Sequence, residues 1–345
     1  MSQDATAIQD GSPEIEEPTA KFERDELVRG WREYEQRRPR VVPVLRFAAR
    51  TDMGQVRENN EDKFDFYEVE DPSLLAARGC LFAVGDGIGG AQAGQIASEM
   101  TLKLLIANYY NSSSPDVFQA LLEAVIQAND RVYHLAQMIP ERNGMGTTLT
   151  GIVFIEDRAV VVQVGDSRAY LIRQGEITQV SQDHSWVEEN VRAGLMSRED
   201  ADNSPYRNVI TRSVGAGTQV QPDFFEQSAM VGDIWILCSD GLTGYVQDDE
   251  LLKVGTSNAP SEAARQFIEL ANARGGRDNI TVFVIAVRGM VNGDEGTALL
   301  TGASKGAGET KASPDSAGAL QHVPISNDED RGEKNRSGLR RLFGR

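Results

Sequence analysis

Residues 81–104 read LFAVGDGIGGAQAGQIASEMTLKL, and how this stretch is taken decides the fold. Leu81–Val84 is an apolar run suited to a buried strand, and it stops at Gly85-Asp86-Gly87. From residue 92 the period changes. Ala93, Ile96, Met100 and Leu104 recur at spacings of three and four, the pattern of a helix with one apolar face. A strand, a glycine turn and a helix formally match the dinucleotide fingerprint, as Gly85-x-Gly87-x-x-Gly90. That fingerprint wants an acidic residue about 20 positions on, and Lys103–Ser114 contains no Asp or Glu. A second helix follows over 115–138, with Val117, Leu121, Val125, Ala128, Val132 and Leu135 on one face. Ser114 reads as its N-cap and Pro115 as its first residue.

Working outward, Val44–Ala49, Thr148–Ile155, Ala159–Val164, Ala169–Arg173, Phe224–Ala229, Ile234–Cys238 and Ile280–Val287 read as strands. Gln174-Gly175 reads as a hairpin turn, and 260–273 as a third helix. The order is not a β-α alternation, so a doubly wound parallel sheet does not fit. Helices packed outside antiparallel sheets do.

The 345 residues include 52 acidic and 35 basic side chains, three His and two Cys, for a net charge of −17. Two Cys exclude a disulfide framework and point to a reducing, cytoplasmic setting. So few Cys and His leave no room for a structural zinc site. No apolar run is long enough to span a bilayer. The first residues, MSQDATAIQDGSPEIEEP, lack the form of a secretory signal. Net acidity argues against nucleic-acid binding.

At roughly 150 residues per domain the length allows two domains, but only 44–289 is patterned as globular. Residues 1–43 read as a polar extension with a short helix near 21–38, and 290–345 as a disordered tail. The tail ends in a basic, partly apolar stretch, 338–345, open to weak contact with a membrane or partner. Residues 44–289 carry −14 of the charge, the first 43 residues −3 and residues 290–345 none. The acidity therefore belongs to the globular part, where it keeps the surface soluble or awaits cations.

Three aspartates sit beside glycine or asparagine at strand ends: Asp86, Asp240 in Ser239-Asp240-Gly241, and Asp278 in Arg277-Asp278-Asn279. Any one alone reads as a turn. Three brought together make an oxygen-rich pocket, which suits Mg²⁺ or Mn²⁺ rather than zinc. Arg57-Glu58-Asn59-Asn60-Glu61-Asp62 adds a guanidinium able to fork onto phosphate and two further carboxylates. Gly165-Asp166-Ser167-Arg168 falls between two strands. A cysteine phosphatase needs Arg six positions after its Cys, and Cys80 and Cys238 are followed there by Asp86 and Gly244.

Over 44–289 these stretches, together with Asp86–Gly90, Gly146-Thr147-Thr148, Asp183-His184-Ser185 and Arg277–Thr281, resemble the metal-dependent type 2C (PPM) family of protein serine/threonine phosphatases, in its bacterial form. The resemblance implies an α+β fold, a four-layer α-β-β-α sandwich of two antiparallel sheets flanked by helices. It implies hydrolysis of phosphoserine and phosphothreonine in kinase substrates by a water activated between two Mn²⁺ or Mg²⁺ ions. Asp86 would bridge the ions, with Asp240 and Asp278 at the first. The Gly87 carbonyl, Glu61 and Asp62 would serve the second, and Asp166 a third, weaker ion. Arg57 would hold the phosphate and Asn279 would support the ligands. Where several members carry a proton-donating His after Asp-Gly, this chain has Ile88. His184 reads as a structural hydrogen-bonding residue, and His184–Gly217 resembles the family's flap beside the active site, which should tune substrate choice and of which 190–206 is the part to exchange. The competing reading is a regulatory or phosphoprotein-binding module on the same fold, but no metal aspartate is lost.

Overall fold

A computed structural model of the chain describes residues 38–293. The expected extensions beyond those limits, including the helix near 21–38, lie outside the described residues. Among the described residues, twelve strands pair antiparallel throughout. The first sheet runs β1 (Val41–Asp52), β12 (Ile280–Asn292), β11 (Ile234–Cys238), β8 (Arg168–Arg173) and β9 (Glu176–Gln179). The second runs β10 (Asp223–Ser228), β7 (Arg158–Val164), β6 (Leu149–Ile155), β3 (Cys80–Gly85) and β2 (Lys63–Tyr67). A two-residue pair, β4 (Gly87–Ile88) with β5 (Gly146–Thr147), lies beside them.

The two sheets close on each other through aromatic side chains. Phe47 of β1 meets Phe82 of β3 edge-on at 4.9 Å, and Phe283 of β12 meets Phe82 at 5.6 Å. Trp235 of β11 meets Phe154 of β6 at 6.1 Å. All but Phe47 are fully buried, and each such side chain contributes roughly 1.5–3 kcal/mol by leaving water. This apolar interior explains why the strand runs read as nearly continuous hydrophobics rather than as strict alternations.

Helices cover both outer faces. α1 (Pro72–Arg78), α2 (Ala91–Asn111) and α3 (Val117–Met138) lie on the second sheet's side, with Leu102, Leu105 and Leu121 buried there. α7 (Asp248–Ser257) and α8 (Pro260–Ala273) cover the first sheet, where Phe267 joins Tyr170, Ile236 and Val284. Two short helices, α4 (Trp186–Arg192) and α5 (Arg198–Asp202), stand in the segment read as a flap, and α6 (Asp240–Thr243) follows β11. The four-layer α-β-β-α expectation is met.

Several local readings need correction. β2, β4, β5 and α1, α4, α5, α6 and α7 were not anticipated as elements, whereas β9 completes the hairpin expected at Gln174-Gly175. The N-cap of α3 is Asp116, not Ser114. The Asp116 side chain accepts from the Gln119 N–H at 2.8 Å, while Arg78 draws the Ser112 and Ser114 carbonyls to itself at 2.6 Å each. Ser114 is thereby kept in the loop. β1 and β12 also pair three residues beyond the expected globular limits, from Val41 to Asn292.

The topology matters for the site. Lys63 pairs with Gly85, Leu149 with Val164, Cys238 with both Val282 and Arg168, and Asp52 with Ile280. The end of β3, the starts of β2, β8 and β12, and the ends of β7 and β11 therefore share one end of the sandwich. Every candidate site residue named above precedes or follows one of those strand ends.

Candidate metal centre

The loop between β1 and β2 is built first. Asn279, buried just ahead of β12, accepts from the Glu61 N–H at 2.8 Å and donates to the Met53 and Asn59 carbonyls at 3.0 and 2.9 Å. One amide side chain thus fastens the Arg57–Asp62 loop to the Asp278 strand end. Ser98 of α2 donates to the Glu61 carbonyl, and Lys63 Nζ donates to the Asn60 and Asp62 carbonyls. Gly87 and Gly94 let β4 and α2 approach this loop. A Cβ on Gly94 would collide with the Glu61 carboxylate, and one on Gly87 with the Gly94 carbonyl.

Asp86 is fixed through its backbone. Its N–H donates to Thr148 Oγ1 at 2.9 Å, and its carbonyl accepts from Thr147 Oγ1 and the Thr148 N–H, each at 2.9 Å. Asp62 is fully buried. Ser239 Oγ donates to its Oδ2 at 2.6 Å, and the Thr281 N–H donates to Ser239 Oγ at 3.0 Å. The other Asp62 oxygen, Oδ1, is buried with no hydrogen-bond partner.

The carboxylates converge. Asp86 and Asp240 act on each other at close quarters, and their neighbours Asp62, Asp166 and Asp278 act on Asp86 electrostatically. Burial, then repulsion from these acids, raises Asp86 well above the carboxylate range. Burial pushes Asp62 up to about 7 and Asp166 up to about 8, with Asp240 adding to both. Burial and Asp278 raise Asp240, and burial raises Glu61. Such acids ionise fully only when positive charge is supplied. Arg57 supplies one, as its Nη2 donates to Asp278 Oδ2 at 2.8 Å. The expected phosphate-holding guanidinium is thus engaged by a carboxylate.

The donor set fits a hard divalent cation. An orphaned buried carboxylate oxygen, crowded acids held near protonation and a close Gly87 backbone are what such an ion would relieve. Among the described residues no three His, Cys, Asp or Glu side chains form a ready cage.

Asp166, Asp240 and Asp278 line a cleft of about 830 Å³. Its other wall carries Ser185, Val187 and Arg207 from the flap segment, and Tyr245 lies beyond α6. Asp166 thus stands in this cleft with Asp240 and Asp278, whereas Glu61, Asp62 and Asp86 do not line it. Ile88 occupies β4 and offers no proton. Ser239, Thr148, Ser98 and Lys63 were not singled out by sequence for the roles they take here. Ser239 and Thr148 lie within quoted motifs, which was their only signal.

Known proteins resemble this chain in sequence and fold. A profile of the protein phosphatase 2C family matches residues 49–190. The chain is 38% identical over 280 residues to serine/threonine protein phosphatase PstP of Mycobacterium tuberculosis, covering 81% of this chain and 52% of that protein. It therefore spans about half the length of that relative. It is 36% identical to serine/threonine phosphatase Stp of Listeria monocytogenes, over 68% of this chain and 93% of the relative. The crystal structure of the PstP catalytic domain in complex with two manganese ions superposes with a TM-score of 0.62 at 37% identity, covering 72% of this chain and 100% of that one. Fold, site geometry and sequence relatives agree that this chain belongs to the protein phosphatase 2C (PPM) family, beside the bacterial serine/threonine phosphatases.

Proposed function

We propose that the chain hydrolyses phosphoserine and phosphothreonine in proteins, opposing protein kinases, with Mn²⁺ or Mg²⁺ as cofactor. The observation that carries this is the set of crowded carboxylates at one end of the sandwich, with the Arg57 guanidinium paired to Asp278 at its edge. Asp86, Asp240 and Asp278 would hold one cation, and Asp86, the Gly87 carbonyl, Glu61 and Asp62 a second, the last two directly or through water. Asp166 would hold a third, more weakly. When bound, such cations supply Lewis-acid charge and make a shared water acidic enough to attack phosphorus at neutral pH. Asn279 keeps the Glu61 loop and Asp278 in register. Arg57 exchanges Asp278 for the phosphate oxygens, which the same planar fork can hold. Residues 190–206 stand over the cleft and shape what polypeptide enters it, so exchanging them should alter peptide preference.

The test is phosphate release from a phosphothreonine peptide. Release with Mn²⁺ that stops on adding EDTA is the expected result. Equal release in EDTA would sink the proposal.

A further inference from the structure

Four guanidiniums line the cleft, those of Arg168, Arg207, Arg274 and Arg277. Two are spent within the fold. Arg168 forks onto Asp183, with Nε and Nη2 at 2.9 and 2.7 Å from Oδ2. Arg274 forks onto Glu250 at 2.6 and 2.5 Å, and its Nη1 also donates to the Tyr245 carbonyl at 2.6 Å. Arg207 belongs to the flap wall. Arg277 stands beside Asp278, and its exposed side chain has no carboxylate partner among the described residues. The adjacent carboxylate is taken on both oxygens. Asp278 Oδ2 accepts from Arg57 Nη2 at 2.8 Å, and Oδ1 accepts from the Asn279 N–H at 2.8 Å.

The turn that presents Arg277 is held from several sides. Gly276 has a φ of +49°, and a Cβ there would lie 2.4 Å from Asn272 Oδ1, so only glycine fits. The Gly276 carbonyl accepts from the Gln55 N–H at 2.6 Å, which ties the turn to the loop carrying Arg57. The Arg277 N–H donates to the Tyr245 hydroxyl at 3.2 Å. That hydroxyl is therefore an acceptor, and its own proton has no acceptor among the described residues.

Tyr245 also lines the cleft. The wall beside Asp278 thus offers guanidinium N–H groups and one phenolic O–H, donors with no acceptor to meet them. They stand on a strongly acidic domain, which disfavours anionic polypeptide in general. An unneutralised donor patch inside its cleft marks where an anion is taken.

We propose that Arg277 and Tyr245 form a specificity subsite for an anionic group of the substrate polypeptide, a carboxylate or a second phosphoryl. The subsite rests on the phosphatase reading above. Neighbouring Cα atoms lie about 3.8 Å apart, so Arg277, next to Asp278, meets a group about one to three residues from the phosphorylated one. The planar fork of an arginine matches either anion, and the Tyr245 hydroxyl adds a donor.

The test is steady-state dephosphorylation, with Mn²⁺, of phosphothreonine peptides carrying Ala, Glu or Lys at each nearby position on either side. A further set carries a second phosphothreonine there, and mass spectrometry separates the two releases. At one position or more, Glu should raise kcat/KM over Ala by about fivefold, the upper range for an exposed charge pair, and chiefly through KM. Lys should lower it. A larger gain from the second phosphoryl assigns the subsite to phosphoryl, and a gain from Glu alone assigns it to carboxylate. Arg277→Gln should bring the Glu-to-Ala ratio close to one, and Arg277→Lys should keep part of it. Tyr245→Phe should shrink it. Arg277→Glu should invert the preference in favour of Lys, a response that a merely loosened turn does not give. Should Arg277→Glu unfold, Arg277→Gln carries the test. A wild type indifferent to flanking charge overturns the subsite and leaves the phosphatase reading standing. So does a preference for Glu that survives in the folded Arg277 variants. No release from any peptide overturns the phosphatase reading and the subsite with it.

Discussion

Two aspartates are equally hidden in this protein and are treated in opposite ways. Asp233, 1% exposed, is closed by Arg173, whose Nε and Nη2 donate to its two oxygens at 2.8 and 2.7 Å, and by the Met230 N–H at 2.8 Å. Asp62, 0% exposed, receives the Ser239 hydroxyl on one oxygen and nothing on the other. Around Asp62 the same contrast repeats. Asp183 has Arg168 in a forked pair, with Nε and Nη2 at 2.9 and 2.7 Å from Oδ2, whereas Asp86 and Asp240 face each other. Where a buried carboxylate serves the fold, the chain provides its own cation. At the sandwich end it provides too few, which is sensible only if cations come from outside.

The contrast can be broken most sharply by exchanging the two roles. Asp240→Asn should cut peptide dephosphorylation by about a thousandfold, the weight of several kcal/mol of lost charge stabilisation, while leaving the melting temperature of the metal-free protein level or higher. Asp233→Asn should do the reverse. It should cost about 2–3 kcal/mol of stability by stranding Arg173, with activity within about twofold at temperatures where the protein stays folded. Urea unfolding and steady-state rates on both variants check the pair. Equal effects on both properties would erase the distinction.

Next in size, Asn279→Ala should weaken Mn²⁺ binding by about 10–100-fold, since it frees the Glu61 loop from the Asp278 strand end. Calorimetry reads this directly. Mn²⁺ at a hundred times its dissociation constant should stabilise the wild type by about 2.7 kcal/mol, and chelation should reverse that gain.

A smaller effect concerns pH. Asp62 and Asp166 are raised from 3.8 to about 7 and about 8. The folded, metal-free protein thus holds protons that the unfolded chain releases near pH 4. The stability tied to those protons is complete below pH 4 and is lost as pH rises through 7 and 8. Melting temperatures of metal-free protein should therefore fall between pH 6 and 8.5, and saturating Mn²⁺ should flatten the slope. A slope unchanged by Mn²⁺ would mean that these carboxylates do not meet the cation.

The sequence made some of this legible and hid the rest for physical reasons. Asp86, Asp240 and Asp278 stand out because each ends or precedes an apolar strand run, and a carboxylate there needs an explanation. β11 and α8 were read to the residue, since Ile234–Cys238 is a pure buried run and Pro260 starts an amphipathic helix. β2 was hidden because Lys63-Phe64-Asp65-Phe66-Tyr67 follows a charge run and only Phe64 and Tyr67 pack, partly buried, against the core. α7 was hidden because its cap is Gln247, reciprocated by Glu250, an uncommon form of the capping box. The partnering of Arg57 with Asp278, and of Ser239 with Asp62, joins residues 221 and 177 positions apart. No local pattern carries such pairs, and only the register of both sheets brings them together.

The central claim is that the sandwich end is a carboxylate centre short of internal positive charge, holding protons where cations belong. Mn²⁺ titration by calorimetry at pH 7.5, repeated in buffers of different ionisation enthalpy, tests it most directly. The account predicts binding accompanied by net proton release, weakened strongly by Asp86→Asn. Binding without proton release, or binding that Asp86→Asn leaves intact, would contradict it.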